Sequence, residues 1–130
     1  MFRLEDYKAN EIWVAVRISG SFMYINDMPY YVYILMDAVN AQVFGHVLAE
    51  AFGGIPDQED ITELFRTAYQ ESGNSWPKTL IVAETSPTSN QFRKEAYKYG
   101  IAIDTIPLSQ LSPIIGPLVK EFADTYKKET

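Results

Sequence analysis

The spacing of apolar residues changes character twice along this chain, and the changes mark out its elements. From Glu11 to Ser19 apolar side chains alternate, with Ile12, Val14, Val16 and Ile18 on one face and Trp13, Ala15 and Arg17 on the other. That period of two predicts a strand that is half-buried or better. Pro29–Met36 is apolar on both faces, Tyr31, Tyr33 and Leu35 opposing Tyr30, Val32, Ile34 and Met36, as in a strand covered on both sides or by a partner. Asn26-Asp27 supplies turn residues between them. A third strand, about Gln42–Glu50, follows Asp37-Ala38-Val39-Asn40-Ala41 so closely that a hairpin must connect them. Three such strands form an antiparallel meander.

After Gly53-Gly54 the period lengthens to 3.6. Ile61, Leu64, Phe65, Ala68 and Tyr69 share one face of a helix that opens at Pro56-Asp57 and ends at Gly73. Its first turn carries Asp57, Glu59 and Asp60, which suit the positive end of the helix dipole. Trp76-Pro77-Lys78 leads into Thr79–Glu84, a short apolar run with the character of a buried parallel strand. A helix from about Ser89 to Tyr99 then buries Phe92, Ala96 and Tyr99, with Gly100 at its C′ position, before a fifth strand at Ile101–Ile106. The last helix carries Ile115, Leu118, Val119, Phe122 and Tyr126 and starts in earnest at Pro117. The order β-β-β-α-β-α-β-α calls for a mixed sheet, because the late strands need crossover connections and these place helices on its faces.

Composition narrows the functional classes. The 130 residues are 47% hydrophobic and 22% charged, which points to one globular domain over residues 1–130 with its core at about 11–127. Eleven basic against seventeen acidic side chains leave a net charge of −6, which disfavours nucleic acid as a partner. Arg93, Lys94 and Lys98 are the one basic grouping on a helix and read as a solvated face. Without cysteine there is neither a disulfide framework, nor a thiolate metal site, nor a Cys nucleophile. The N-terminal residues lack the pattern of a secretory signal, and no apolar run reaches the ~20 residues of a membrane span. The expectation is a cytoplasmic protein without membrane partners.

The string of elements resembles the ribonuclease H-like fold, and the local residues resemble the catalytic core of integrases and transposases. In that family a Trp-x-x-Asp strand precedes a strand ending in Asp and a hairpin that re-enters through Gly. Trp13-Val14-Ala15-Val16 stands at the first place, and the run from Tyr33 through Asp37 to Gly45 resembles the second. Leu80-Ile81-Val82-Ala83-Glu84-Thr85-Ser86, with Phe92 and Gly100-Ile101, is similar to the family's later strand, helix and Gly-Ile phrase. The chain also resembles small bacterial domains of unknown function with a Pro-Lys-x-Leu-x-Val strand, here Pro77 to Val82. The resemblance implies a five-stranded mixed sheet in the order 3-2-1-4-5.

It also implies a two-metal site, and here the residues depart from the pattern. Such enzymes hold two metals between an Asp on the first strand, a carboxylate at the end of the fourth and a third from a late helix. The first place is Val16, which cannot ligate a hard cation. Glu84 stands at the second, and the late helix offers no carboxylate before Glu121 and Asp124. Asp37 does not rescue the site, because an antiparallel second strand ends at the opposite edge of the sheet.

Glu84, Thr85 and Ser86 are the candidate ligand or metal residues, since ligands in open α/β sheets gather at the carboxyl ends of strands; capping of the next helix, with Ser89, is the alternative use of the same side chains. His46, the single histidine, sits on the predicted face of Phe44 and Leu48 with no triad pattern around it. Gly53-Gly54 lacks a following Lys-Ser or Lys-Thr and is no phosphate loop. Phe22, Tyr24, Tyr30, Tyr31 and Tyr33 crowd the first hairpin and are the candidate interface, because Tyr joins apolar area to a polar tip. The leading expectation is a non-catalytic interaction or scaffold domain that self-associates and uses no cofactor or metal. Alternatives are a divergent metal-dependent nuclease or phosphoryl-transfer enzyme using Glu84, and a small-ligand module.

Overall fold

The computed structural model describes residues 10–17, 23–25, 27–39, 42–50, 56–83 and 89–107. They form β1 (Ile12–Arg17), β2 (Met23–Ile25), β3 (Met28–Asp37), β4 (Val43–Glu50), α1 (Gln58–Glu71), β5 (Thr79–Ala83), α2 (Ser89–Lys98) and β6 (Ala102–Ile106). Each element predicted up to Ile106 is present within two residues of its expected bounds. The expected last helix lies outside the described residues, as do Ile18, Ser19, Asn26, Asn40, Ala41 and Gly53-Gly54.

The sheet is mixed. β3 runs antiparallel to β1 and β4, while β5 is parallel to both β1 and β6. Counting the five long strands, the order β4-β3-β1-β5-β6 is the 3-2-1-4-5 arrangement expected. The addition is β2. Tyr30 pairs with both Met23 and Glu50, and Tyr33 with both Arg17 and Val47, so β1 and β2 lie along the same side of β3 with β4 on the other. β2 therefore extends the line of β1 beside the first half of β3, turning through Asp27 at φ 66°.

Two apolar layers flank the sheet. Trp13 and Ala15 of β1, Tyr33 and Leu35 of β3 and Leu80 and Val82 of β5 meet α1 and α2 through Ile61, Phe65, Ala68, Phe92 and Ala96. Trp13 packs on Phe44 and Phe65 at ring separations of 5.1 and 6.1 Å. Burying one such side chain contributes roughly 2–3 kcal/mol of transfer free energy. On the opposite face Ile12, Val14, Val16, Val32, Ile34, Met36 and Ile81 form a second buried cluster to which neither α1 nor α2 contributes. α1 and α2 thus dock on one side of a sheet whose inner strands are buried on both, as the two-faced pattern of β3 anticipates.

Helix ends follow their residues. α1 opens behind Asp57 with Glu59 and Asp60 in its first turn. α2 ends as Gly100 turns left-handed at φ 71°, letting the Ile101 N–H reach back to the Ala96 carbonyl at 3.2 Å.

One feature of β4 departs from simple alternation. Leu35 pairs with Gly45 but Met36 pairs with Val43, so Phe44 is an extra residue in a β-bulge. Beyond the bulge, Val47 and Ala49 join Phe44 on the helix side, while Leu48 packs against the second cluster and His46, opposite Ile34, shares its face. The expectation that His46 shares a face with Phe44 is thereby corrected: the inserted residue reverses the parity of the strand.

Candidate functional site

The carboxyl ends of β1 and β5 are where the sequence placed a site. Ala15 pairs with Val82, so the next residues along, Val16 and Ala83, lie side by side at that edge. Val16 is 2% exposed and belongs to the second apolar cluster with Ile34 and Ile81. Its isopropyl group offers no ligand atom, and the apolar surroundings would penalise a charge. Glu84, Thr85 and Ser86, as well as Glu121 and Asp124, lie outside the described residues. Among the described residues there is no group of three or more His, Asp or Glu side chains able to hold a metal. That includes the acidic start of α1.

Asp37 occupies the other edge. Trp13 pairs with both Asp37 and Leu80, which puts Asp37 at the amino-terminal ends of β1 and β5, away from the edge that Ala83 reaches. Its buried carboxylate accepts hydrogen bonds from the Asn10 N–H at 2.6 Å and the Val39 N–H at 2.9 Å, fixing the start of β1 and the turn after β3. Asn10 completes the lock: its Oδ1 accepts from Trp13 Nε1 at 2.5 Å, and its Nδ2 donates to Ser75 Oγ at 2.7 Å. These are architectural uses of polar groups.

The hairpin tyrosines divide. Tyr33 is only 5% exposed, packed at 6.4 Å from Phe92 under α2, and has almost no surface to give a partner. Tyr31 is half-buried with the Arg17 guanidinium 4.5 Å above its ring. Tyr30 is half-buried, and nearby Met28 is 49% exposed. Phe22 and the Tyr24 side chain lie outside the described residues.

His46 lines a groove of about 490 Å³ between β4 and α1, together with Phe44, Gly45, Asp60, Glu63 and Thr67 among others. Burial lowers its pKa from the ordinary 6.5, favouring neutral imidazole. Gly45 lets the helix approach: a Cβ there would meet Leu64 Cδ1 at 2.9 Å. The re-entry glycine that marked the hairpin in the sequence is a packing requirement of α1.

A polar cluster absent from the sequence expectations joins the helices. Glu95, on α2, is fully buried, and its carboxylate accepts from Tyr99 Oη at 2.6 Å, Thr62 Oγ1 at 2.8 Å, Gln58 Nε2 at 3.2 Å and Lys98 Nζ at 3.2 Å. Desolvation opposes its charge, but the four donors together outweigh that and hold its pKa below the ordinary value. The signal was present: Phe92, Glu95, Ala96 and Tyr99 follow the i, i+3, i+4, i+7 spacing of one helix face. Beside it, Trp76 stacks on Tyr99 at 3.9 Å and packs on Tyr69 at 4.5 Å.

No family model matches the chain, and no curated protein matches it. Solved structures do. One is a chain of the simian T-cell lymphotropic virus intasome in complex with the PP2A regulatory subunit B56 gamma, at TM-score 0.51 and 19% identity over 88% of this chain. This chain spans 42% of that one's length. Another is the HTLV-2 integrase catalytic core domain in complex with magnesium, at TM-score 0.46 and 16% identity, covering 87% of this chain and 71% of the other. Sheet order, helix placement and the first of these likenesses agree: the protein has the ribonuclease H-like α/β fold found in integrase catalytic cores.

Proposed function

We propose that this chain is a non-catalytic interaction or scaffold module on a ribonuclease H-like fold, self-associating through the hairpin of β2 and β3. The observation that carries the reading is Val16: where the resembling enzymes need a first-strand acid, this chain has a valine buried in an apolar cluster beside the end of β5. Fold alone supplies no activity, so the argument rests on that position. The hairpin is the better surface for association, since Met28 and Tyr30 keep accessible apolar area next to one another on one face of β3.

Light scattering at micromolar concentration tests it. The expected result is a dimer that Met28→Glu with Tyr30→Glu converts to a monomer. A wild-type monomer would end the self-association. Mn²⁺- or Mg²⁺-dependent nucleic acid cleavage abolished by Glu84→Gln would overturn the non-catalytic reading.

A further inference from the structure

Among the described residues β4 pairs with β3 alone, at the edge of the sheet. A strand so placed turns every second N–H and C=O away from its neighbour, a row of groups able to take up another extended segment. α1 runs alongside and converts this edge into the groove described above. Its floor is apolar, with Phe44, Val47 and Leu64. Its wall is acidic, because Asp60, Glu63 and Thr67 lie three or four residues apart on one stripe of the helix. Both acids are exposed; Glu63 is ion-paired with Arg66 at 2.7 Å, and Asp60 has no ion pair among the described residues.

A backbone edge, an apolar floor and an acidic wall complement one kind of occupant: an extended peptide whose main chain meets β4, whose apolar side chains enter the floor and whose Lys or Arg reaches Asp60. A second copy fits poorly, since joining β4 to β4 around a twofold axis would bring two acidic α1 walls together in a chain of net charge −6. We propose that β4 and α1 form a docking groove that binds a short cationic segment of a partner protein by strand addition. This rests on the reading of the chain as an interaction module and gives it a surface separate from the tyrosine hairpin.

Fluorescence anisotropy with the full chain and a labelled peptide Thr-Val-Thr-Lys-Thr-Val-Thr-Lys, which sets Val and Lys on one face of an added strand, tests the proposal. The wild type binds it, and the same peptide with Glu in place of Lys fails. Asp60→Lys with Glu63→Lys, on an exposed helix face, weakens binding at least ten-fold while circular dichroism stays unchanged. N-methylating one set of alternate peptide amides abolishes binding, and methylating the other set is tolerated. Absence of binding, or binding indifferent to both methylation patterns, overturns the proposal. So does concentration-dependent protection of the β4 amides from hydrogen exchange without peptide, which would make a second copy the occupant. A monomer that binds the peptide leaves the groove standing and ends the self-association reading; a dimer that ignores the peptide does the reverse.

Discussion

The Tyr99 hydroxyl donates a 2.6 Å hydrogen bond to the Glu95 carboxylate one turn away on the helix side of the sheet, where Glu95 is sealed from solvent. With Thr62 and Gln58 donating from α1 to the same carboxylate, the pair ties the two helices together. A hydrogen bond to a charged group contributes about 1.5–3 kcal/mol, and a buried carboxylate that loses a donor keeps its desolvation cost. Tyr99→Phe should therefore destabilise the fold by about 2 kcal/mol while leaving the ring stacked on Trp76. Glu95→Ala should cost about 3 kcal/mol, and the double variant less than the sum, because the sites share one network. Urea unfolding measures all three; a Tyr99→Phe midpoint equal to wild type would remove the network from the account of stability.

The same pair sets the limits of stability in pH. Glu95 has a lowered pKa in the fold, so its contribution is complete above the ordinary value of 4.5 and is lost as pH falls through the lower folded value. Tyr99, raised by burial and by Glu95 to about 12, contributes fully below 10 and loses that contribution between 10 and about 12. His46 adds a separate acid loss that begins near 6.5, since the unfolded chain takes up its proton first. Melting temperatures across pH should show both flanks, and Tyr99→Phe should flatten the alkaline one. An unchanged alkaline slope in that variant would assign the loss to other groups.

Gly45 is constrained by approach rather than by backbone angle. A methyl group there meets Leu64 Cδ1 at 2.9 Å, and Leu64 is itself buried in the helix layer. Gly45→Ala should cost about 1 kcal/mol as Leu64 shifts, and Gly45→Val about 3 kcal/mol, the range for overpacking a tight contact. Shortening the opposing side chain in Gly45→Ala with Leu64→Val should recover part of that loss. Additive losses in thermal unfolding would show that the two residues do not press on each other.

The elements are legible because their patterns are regular: β1 alternates, β3 is apolar on both faces, and each face of the sheet has its own cluster. Where a single residue breaks the period, the face of a side chain is no longer legible from alternation. Phe44, inserted as a bulge, lies on the face opposite His46 and Leu48, with which simple alternation groups it. Glu95 falls on the apolar stripe of its helix, but a carboxylate there reads as solvated, because the donors that bury it, Thr62 and Gln58, come from another helix. Tyr33 illustrates the converse, a ring that sequence could assign to an interface and that packing assigns to the space under Phe92. Val16 was legible twice over, as a missing acid by motif and as an apolar face by alternation, and both uses fall on one buried position.

That coincidence makes Val16 the place to test whether an acid can be restored. Val16→Asp puts a carboxylate among Ile34, Ile81 and their neighbours, with no hydrogen-bond donor supplied by these side chains. The expected cost is about 4 kcal/mol, against less than about 1.5 kcal/mol for the volume-tolerant Val16→Ile. Mn²⁺ and Mg²⁺ should leave the melting temperature of Val16→Asp unchanged, because a ligand stabilises only what it binds. A metal-dependent rise of several degrees, removed by Glu84→Gln, would mean that the end of β5 retains a cation site waiting for its first-strand ligand, and the scaffold reading would give way to a phosphoryl-transfer ancestry still written in the side chains.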